Sequence, residues 1–327
     1  LKVFNLKEEI MDYTYYVDED GKVFRLHVET DDEPWNPRED MDGNIGTMFC
    51  MHGRYKLGDK TSFSDSIGMK YAMLQDAGIT TEKVIKLAKR GEEALHFRLV
   101  YNRHEKMWEL LVRDCDGDER FVSHEHYLEY LEEDVISAIS VQEIMEISKG
   151  NLIALPLYLM DHSGISMQTS DYNDPWDSGQ VGWIWSTVDK AEKISGKQGL
   201  SAEELRSWLE SEVKQYSQFL EGDVYGYIIE KYEKGDWCEC ESVWGYYPST
   251  NDSLRELSDE AFGPEKWTSS DPKLPEPELT RAEWIKCMTE KELSSFLFET
   301  KEKIASMDQE ELMAWLQCEC AEADVAV

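Results

Sequence analysis

The stretch Leu152-Ile153-Ala154-Leu155-Pro156-Leu157-Tyr158-Leu159-Met160 is nearly all apolar, and its reading decides the fold. A continuous apolar run of this length is expected to be a buried strand. Pro156 adds an irregularity, because proline has no N–H to give to a ladder. A further strand is expected over Val181 to Thr187. Ser201 then opens a helix: Glu204 follows at the capping-box spacing, and Leu205, Trp208, Leu209, Val213, Tyr216 and Leu220 share one apolar face.

Outward from this centre the pattern stays mixed. Tyr13 to Val28 forms two β-rich runs about Asp18-Glu19-Asp20-Gly21, the composition of a hairpin. Asp31 to Arg38 holds two prolines and is expected to be a structured loop. Ser64 to Arg90 predicts two helices broken at Gly78, the second capped by Thr80 or Thr81. Leu95 to Val100 and Met107 to Val112 predict paired strands, and Glu125 to Ile147 two helices divided near Ser140. Val224 to Tyr232 and Trp237 to Tyr247 predict a hairpin around Lys234-Gly235-Asp236. The expected fold is α+β, a mainly antiparallel sheet with packed helices and a small helical C-terminal unit. Residues 1–247 are read as the core domain, with an acidic helical insertion near 60–150. Residues 248–279 are read as a proline-spaced linker or draped loop, and 280–327 as the helical unit.

Charge narrows the function. The chain of 327 residues carries 68 acidic against 34 basic side chains, a formal charge of −34. Nucleic-acid binding relies on cationic groups that neutralise phosphates, so direct contact with DNA or RNA is not expected. The surface should attract a partner whose own surface is basic. No apolar run is long enough to span a membrane, and the first residues lack the apolar core of a signal peptide. A cytoplasmic protein is expected. Seven cysteines, an odd number, do not suggest a secreted disulfide framework.

The acids concentrate between Asp114 and Glu146, where eleven carboxylates meet Arg120 alone. Asp114-Cys115-Asp116-Gly117-Asp118-Glu119 resembles a calcium loop only in composition. Its glycine is fourth where an EF-hand needs it sixth, so a hairpin turn is expected. Glu125, Glu129, Glu132, Glu133 and Asp134 are the best-placed candidates for partner binding. Trp267, Trp284 and Trp315, near the variable and terminal regions, are candidate contact aromatics. Trp183, Trp185, Trp244, Tyr246 and Tyr247 are assigned to the core or a sheet layer.

Catalytic signals are weaker. Asp161 and His162 end a strand, and with Asp174 and Asp177 they offer ligands for a divalent metal, the basis of a metal-dependent hydrolase reading. Ser163 beside His162 suggests a nucleophile and its base, but no G-x-S-x-G elbow is present. The plainer expectation makes this loop structural, with Asp and Ser side chains binding local backbone and Trp176 packed. Cys238/Cys240 and Cys318/Cys320 could together supply four thiolates for zinc, at a spacing short for a zinc knuckle. Cys238 and Cys240 would share a strand face, and Cys318 and Cys320 are candidates for a disulfide between subunits. No phosphate-binding loop occurs and no cofactor is expected.

Several stretches together resemble a family of proteins from phages, prophages and plasmids. They are Pro34-Trp35-Asn36-Pro37-Arg38, Asn44-Ile45-Gly46-Thr47-Met48, Arg54-Tyr55-Lys56-Leu57-Gly58-Asp59, Pro156 to Met167, Pro175-Trp176-Asp177-Ser178-Gly179-Gln180-Val181-Gly182, Gly222-Asp223-Val224-Tyr225-Gly226-Tyr227 and Trp244-Gly245-Tyr246-Tyr247. The chain is also similar in its acidity to phage inhibitors of the Gabija nuclease and helicase complex. The resemblance brings no catalytic residue. It implies a non-enzymatic anti-defence protein that binds a host nucleic-acid-targeting immune complex through an acidic surface, alone or as a homo-oligomer. The alternatives are the hydrolase centred on Asp161 and His162, and a virion or replication accessory protein whose acidity serves solubility.

Overall fold

A computed structural model describes residues 13–248, 285 and 290–317. In chain order these form β1 (Thr14–Val17), β2 (Val23–Thr30), β3 (Thr47–Cys50), α1 (Ser66–Asp76), α2 (Thr81–Arg90), β4 (Phe97–Asn102), β5 (Met107–Arg113) and β6 (Glu119–Glu125). A 3-10 turn (Leu128–Leu131), α3 (Glu132–Ala138), α4 (Val141–Ile147), β7 (Leu152–Asp161), β8 (Ile165–Gln168), β9 (Ser178–Thr187), α5 (Val188–Ser195) and α6 (Ala202–Glu221) follow. The hairpin β10 (Tyr225–Glu233) and β11 (Asp236–Tyr246) and the helices α7 (Glu290–Ala305) and α8 (Gln309–Gln317) complete the order. The fold is α+β, and three antiparallel sheets, ordered β1-β2-β10-β11, β3-β9-β7-β8 and β4-β5-β6, take the place of the one expected. The contacts divide the chain into two units: Asp32–Val224, and the residues up to Asp31 together with those from Tyr225. The span 1–247, read from sequence as one core domain, is thus shared between two units. The expected linker at 248–279 lies outside the described residues except Pro248.

In the Asp32–Val224 unit, β7 is buried on both faces, as its apolar run requires. Ile153, Leu155, Leu157 and Leu159 pack with Met48, Met167 and Ile184 against Leu205, Leu209, Val213 and Tyr216 of α6. Leu152 and Ala154 join the other cluster, with Phe49, Trp185, α1 to α4 and the apolar face of β4 and β5. Pro156 is tolerated because β8 pairs with β7 only from Tyr158 to Asp161, so at Pro156 the strand has β9 as its sole neighbour. The register irregularity falls just beyond it, between Leu157 and Tyr158. Ser201 and Glu204 form the expected capping box, and Thr80 caps α2. The acidic region near 60–150, expected to be a helical insertion, carries strands as well as helices. It holds the whole β4-β5-β6 sheet as well as α1 to α4, and its apolar residues build the larger core.

Three of the stretches quoted above meet at one buried cation. The Arg38 side chain, 1% exposed, forks onto Asp59 through Nε (2.7 Å) and a terminal nitrogen (2.9 Å). It also donates to Glu212 of α6 at 2.7 Å, to the Asn44 side chain at 3.1 Å and to the Gly46 carbonyl at 2.8 Å. The carboxylates are satisfied in turn: Asp59 accepts the Met48 N–H, and Glu212 accepts the N–H groups of Ile45 and Gly46. Burial, the largest influence, opposes the guanidinium charge, but Asp59 and Glu212 outweigh it and the group is held more firmly protonated than usual. The segments 34–38, 44–48 and 54–59 therefore meet at one charge cluster that fastens a loop and β3 to α6.

Glycines mark close backbone approaches here. A Cβ on Gly182 would lie 1.9 Å from the Phe49 carbonyl oxygen across the β3–β9 ladder, and one on Gly46 would meet Ile184 and Leu209 at 2.7 Å. In the other unit β2 pairs with β10 across some 200 residues of sequence, placing Arg25 beside Glu230. That pair bonds at 2.5 and 3.0 Å, with the guanidinium 4.4 Å from the Tyr13 ring and 4.5 Å from the Trp237 ring. The opposite face carries Leu26, Tyr227 and Ile229.

Arg38→Ala should destabilise the fold by about 3–5 kcal/mol, because two carboxylates lose a buried counter-charge. Arg38→Lys should recover only part of it, since an ammonium cannot reproduce the fork; urea midpoints for the three proteins check this. Gly182→Ala should cost about 1–3 kcal/mol in the same assay, whereas Gly179→Ala, whose Cβ would meet nothing within 4 Å, should leave the midpoint within about 0.5 kcal/mol of the parent.

Candidate protein-binding surface

The Asp161–His162 loop is a tied hairpin end. The His162 N–H donates to the Gly164 carbonyl at 3.0 Å, while Ser163 (φ 60°) and Gly164 (φ 157°) make the turn between β7 and β8. Asp161 accepts from Arg54 and, at 3.2 Å, from the Tyr55 hydroxyl, and its N–H donates to the Asp177 carbonyl at 2.8 Å. His162 Nδ1 lies 2.8 Å from Asp177. Asp174 accepts the N–H groups of Trp176 and Asp177 at 2.9 and 3.1 Å, and these bonds hold its carboxyl below the usual range. Among the described residues no three His, Cys, Asp or Glu side chains converge as a metal ligand set. Each acid of the expected quartet already serves the backbone or a neighbouring side chain, and the structural reading of this loop accounts for its residues. One part of that reading is corrected: Trp176 does not pack but stands 91% exposed.

The acidic region forms a surface with an aromatic component that the residue types alone did not reveal. β6 is an edge strand of its sheet, and its first four residues, Glu119 to Val122, are all exposed. The pairing shifts register between Leu110–Ser123 and Leu111–Phe121, leaving Val122 as the extra residue of a β-bulge. The bulge breaks the in-out alternation, and Phe121 (55% exposed) and Val122 (52%) both reach solvent. Tyr127 and Tyr130 follow, exposed at 65% and 64%, with ring centroids 6.0 Å apart and edge-to-face. Phe121 also lies against His124, centroids 5.4 Å apart.

The anticipated carboxylates lie in this same segment with unequal freedom. Glu129 and Glu133 are exposed; Glu125, Glu132 and Asp134 are half-buried. Glu132, Glu133 and Asp134 occupy the first turn of α3, where they also complement the helix dipole. Glu132 accepts a long bond from the Tyr71 hydroxyl at 3.5 Å, and burial, followed by the charges of Glu132 and Glu133, pushes the Tyr71 phenol up. Two acids of the region are structural. Glu143 is buried, closes the Ser140 capping box and contacts His96 at 2.7 Å. Asp114 accepts the N–H groups of Asp116 and Asp118, making the hairpin turn the spacing predicted.

The remaining candidates divide. Trp315 is not an exposed contact: it is half-buried, stacked on Phe296 of α7 with centroids 6.2 Å apart. Trp267, Trp284, Cys318 and Cys320 lie outside the described residues. Trp185 is fully buried as expected, but Trp244 is 44% exposed. Cys238 and Cys240 do not simply share a face, because Glu239 pairs with Glu230 and Glu241 with Ile229, which makes Cys240 the extra residue of a bulge. Its thiol donates to the Ile229 carbonyl at 3.4 Å. No helix among the described residues is long and apolar enough to cross a membrane. No family model, curated protein or solved structure matches the chain.

Proposed function

We propose that this chain is a phage- or prophage-encoded anti-defence protein that binds a host nucleic-acid-targeting immune complex, such as Gabija, a restriction system or a CRISPR effector, and blocks it. The reading places it in the host cytoplasm and makes it a binding protein, with no catalytic residue of its own. The observation that carries it is the segment 119–134, where four exposed aromatic or β-branched side chains are interleaved with carboxylates on one continuous piece of chain. Effectors that grip nucleic acid do so through cationic grooves. A surface with negative potential and exposed aromatics is complementary to such a groove: the charge speeds encounter, and Tyr127, Tyr130, Phe121 and Val122 supply the desolvated contacts that slow release. The resemblance to proteins of mobile elements favours defence blockade over other basic partners.

The test is co-purification of the tagged chain from bacteria that carry such a system, with nuclease activity measured at physiological salt. A defence nuclease should be retained and its activity lowered. Glu129→Lys with Glu133→Lys should slow association and weaken its salt dependence, while Tyr127→Ala with Tyr130→Ala should raise the dissociation rate by about tenfold or more. Retention of no defence protein and no loss of nuclease activity would overturn the proposal.

A further inference from the structure

Positive charge gathers at one place in this acidic chain. Residues 83–106 carry seven Lys or Arg against three Glu. Lys83, Lys86, Lys89 and Arg90 stand exposed on α2, and Arg103 and Lys106 on the turn between β4 and β5. Acids outnumber bases two to one along the chain, yet Arg98 is the only one of the seven in an ion pair among the described residues. Lys89 and Arg90 complement the negative end of the α2 dipole. Lys83, Lys86, Arg103 and Lys106 are not accounted for in that way.

This cationic face abuts the acidic one. Tyr101 pairs with Trp108, and Trp108 with Glu125, across the β4-β5-β6 sheet, so the three side chains form a row on one face. The Tyr101 and Trp108 ring centroids are 5.2 Å apart. Lys89 Nζ lies 4.5 Å from the centroid of the Trp108 ring, which brings the last turn of α2 onto the same row. Close by, His126 Nδ1 is 3.4 Å from the Lys106 carbonyl oxygen. The row crosses two inter-strand spacings, about 10 Å, and the exposed Tyr127, Glu129, Tyr130 and Glu133 follow its acidic end in the chain.

We propose that two copies of this chain pair through this bipolar face about a two-fold axis, the α2 cations of each lying on Glu129 and Glu133 of the other. A surface whose positive and negative halves lie side by side is self-complementary under such a rotation. Tyr101, 44% exposed, adds to Tyr127 and Tyr130 as aromatic contact area. A nucleic-acid strand fits less well, because phosphates laid along α2 come within roughly one to two screening lengths of the neighbouring carboxylates at physiological salt. The charge of −34 on each copy opposes approach, so the pair forms on concentration and separates on dilution. Pairing covers carboxylates that are also offered to a basic partner, so the two contacts exclude each other; the test contains no defence protein.

Sedimentation equilibrium of the full chain over a range of concentrations tests the pairing. At physiological salt the mass should climb from 38.0 kDa towards twice that value, and about 1 M salt should return it to the monomer. Lys86→Glu with Arg90→Glu should weaken association by about tenfold or more, and so should Glu129→Lys with Glu133→Lys. An equal mixture of the two variants should pair again, because each then meets opposite charge at both contacts; that recovery also shows that both variants fold. A labelled single-stranded oligonucleotide should not bind the parent chain. A monomer at every concentration, association that survives high salt or both charge reversals, or a mixture that stays monomeric would overturn the proposal. So would oligonucleotide binding to a monomeric chain that Lys86→Glu with Arg90→Glu abolishes, since the cations would then belong to nucleic acid.

Discussion

Arg38 is the group on which the arrangement of the Asp32–Val224 unit depends. A guanidinium 1% exposed is costly to bury, and the structure offsets that cost only by bringing two carboxylates, an amide and a carbonyl from three separate stretches to it. Because Arg has five donors in a rigid fork, the cluster specifies geometry as well as charge. Asp59 and Glu212 pass the constraint on through the backbone of residues 45, 46 and 48. The consequence is a fixed β3, against which Gly182 of β9 can lie so closely that no side chain fits between.

That cluster also separates frame from function. The charged and amide side chains of the segments 34–38, 44–48 and 54–59 saturate one another in space. The Asp161–His162 loop behaves the same way, its acids consumed by Arg54, Tyr55 and backbone N–H groups. What stands open to solvent is elsewhere: aromatic side chains held in water along 119–130 among exposed carboxylates. Solvent-exposed aromatics on ordered backbone are a property of surfaces that become buried on binding.

Much of the fold was legible because its signals are local. The α6 helix shows both its capping box and its apolar face in twenty residues, and the strand at 152–160 declares its double-sided burial by an unbroken apolar run. The Thr80 cap and the Asp114 turn follow from side chains bonding their own neighbours. The short β3 and β8, of four residues each, left no periodicity to read. The pairing of β2 with β10 was invisible because nothing near either strand encodes a partner 200 residues away. The bulges at Val122 and Cys240 were missed for a related reason: they arise from the register of two strands, not from either one. They decide the surface, since the bulge at Val122 turns two apolar side chains outward and the one at Cys240 breaks the apparent Cys-x-Cys face. At the candidate site the charge was readable, and the aromatic half was present only as Tyr127 and Tyr130 spaced three apart among acids.

The most direct measurement of the central claim is amide hydrogen exchange on the full chain, free and bound to the protein it retains from a defence-bearing cell. Protection on binding should concentrate in residues 119–134, with the segments around Arg38 equally slow in both states. Protection centred on the Asp161–Gly182 loop, with none in 119–134, would contradict the account.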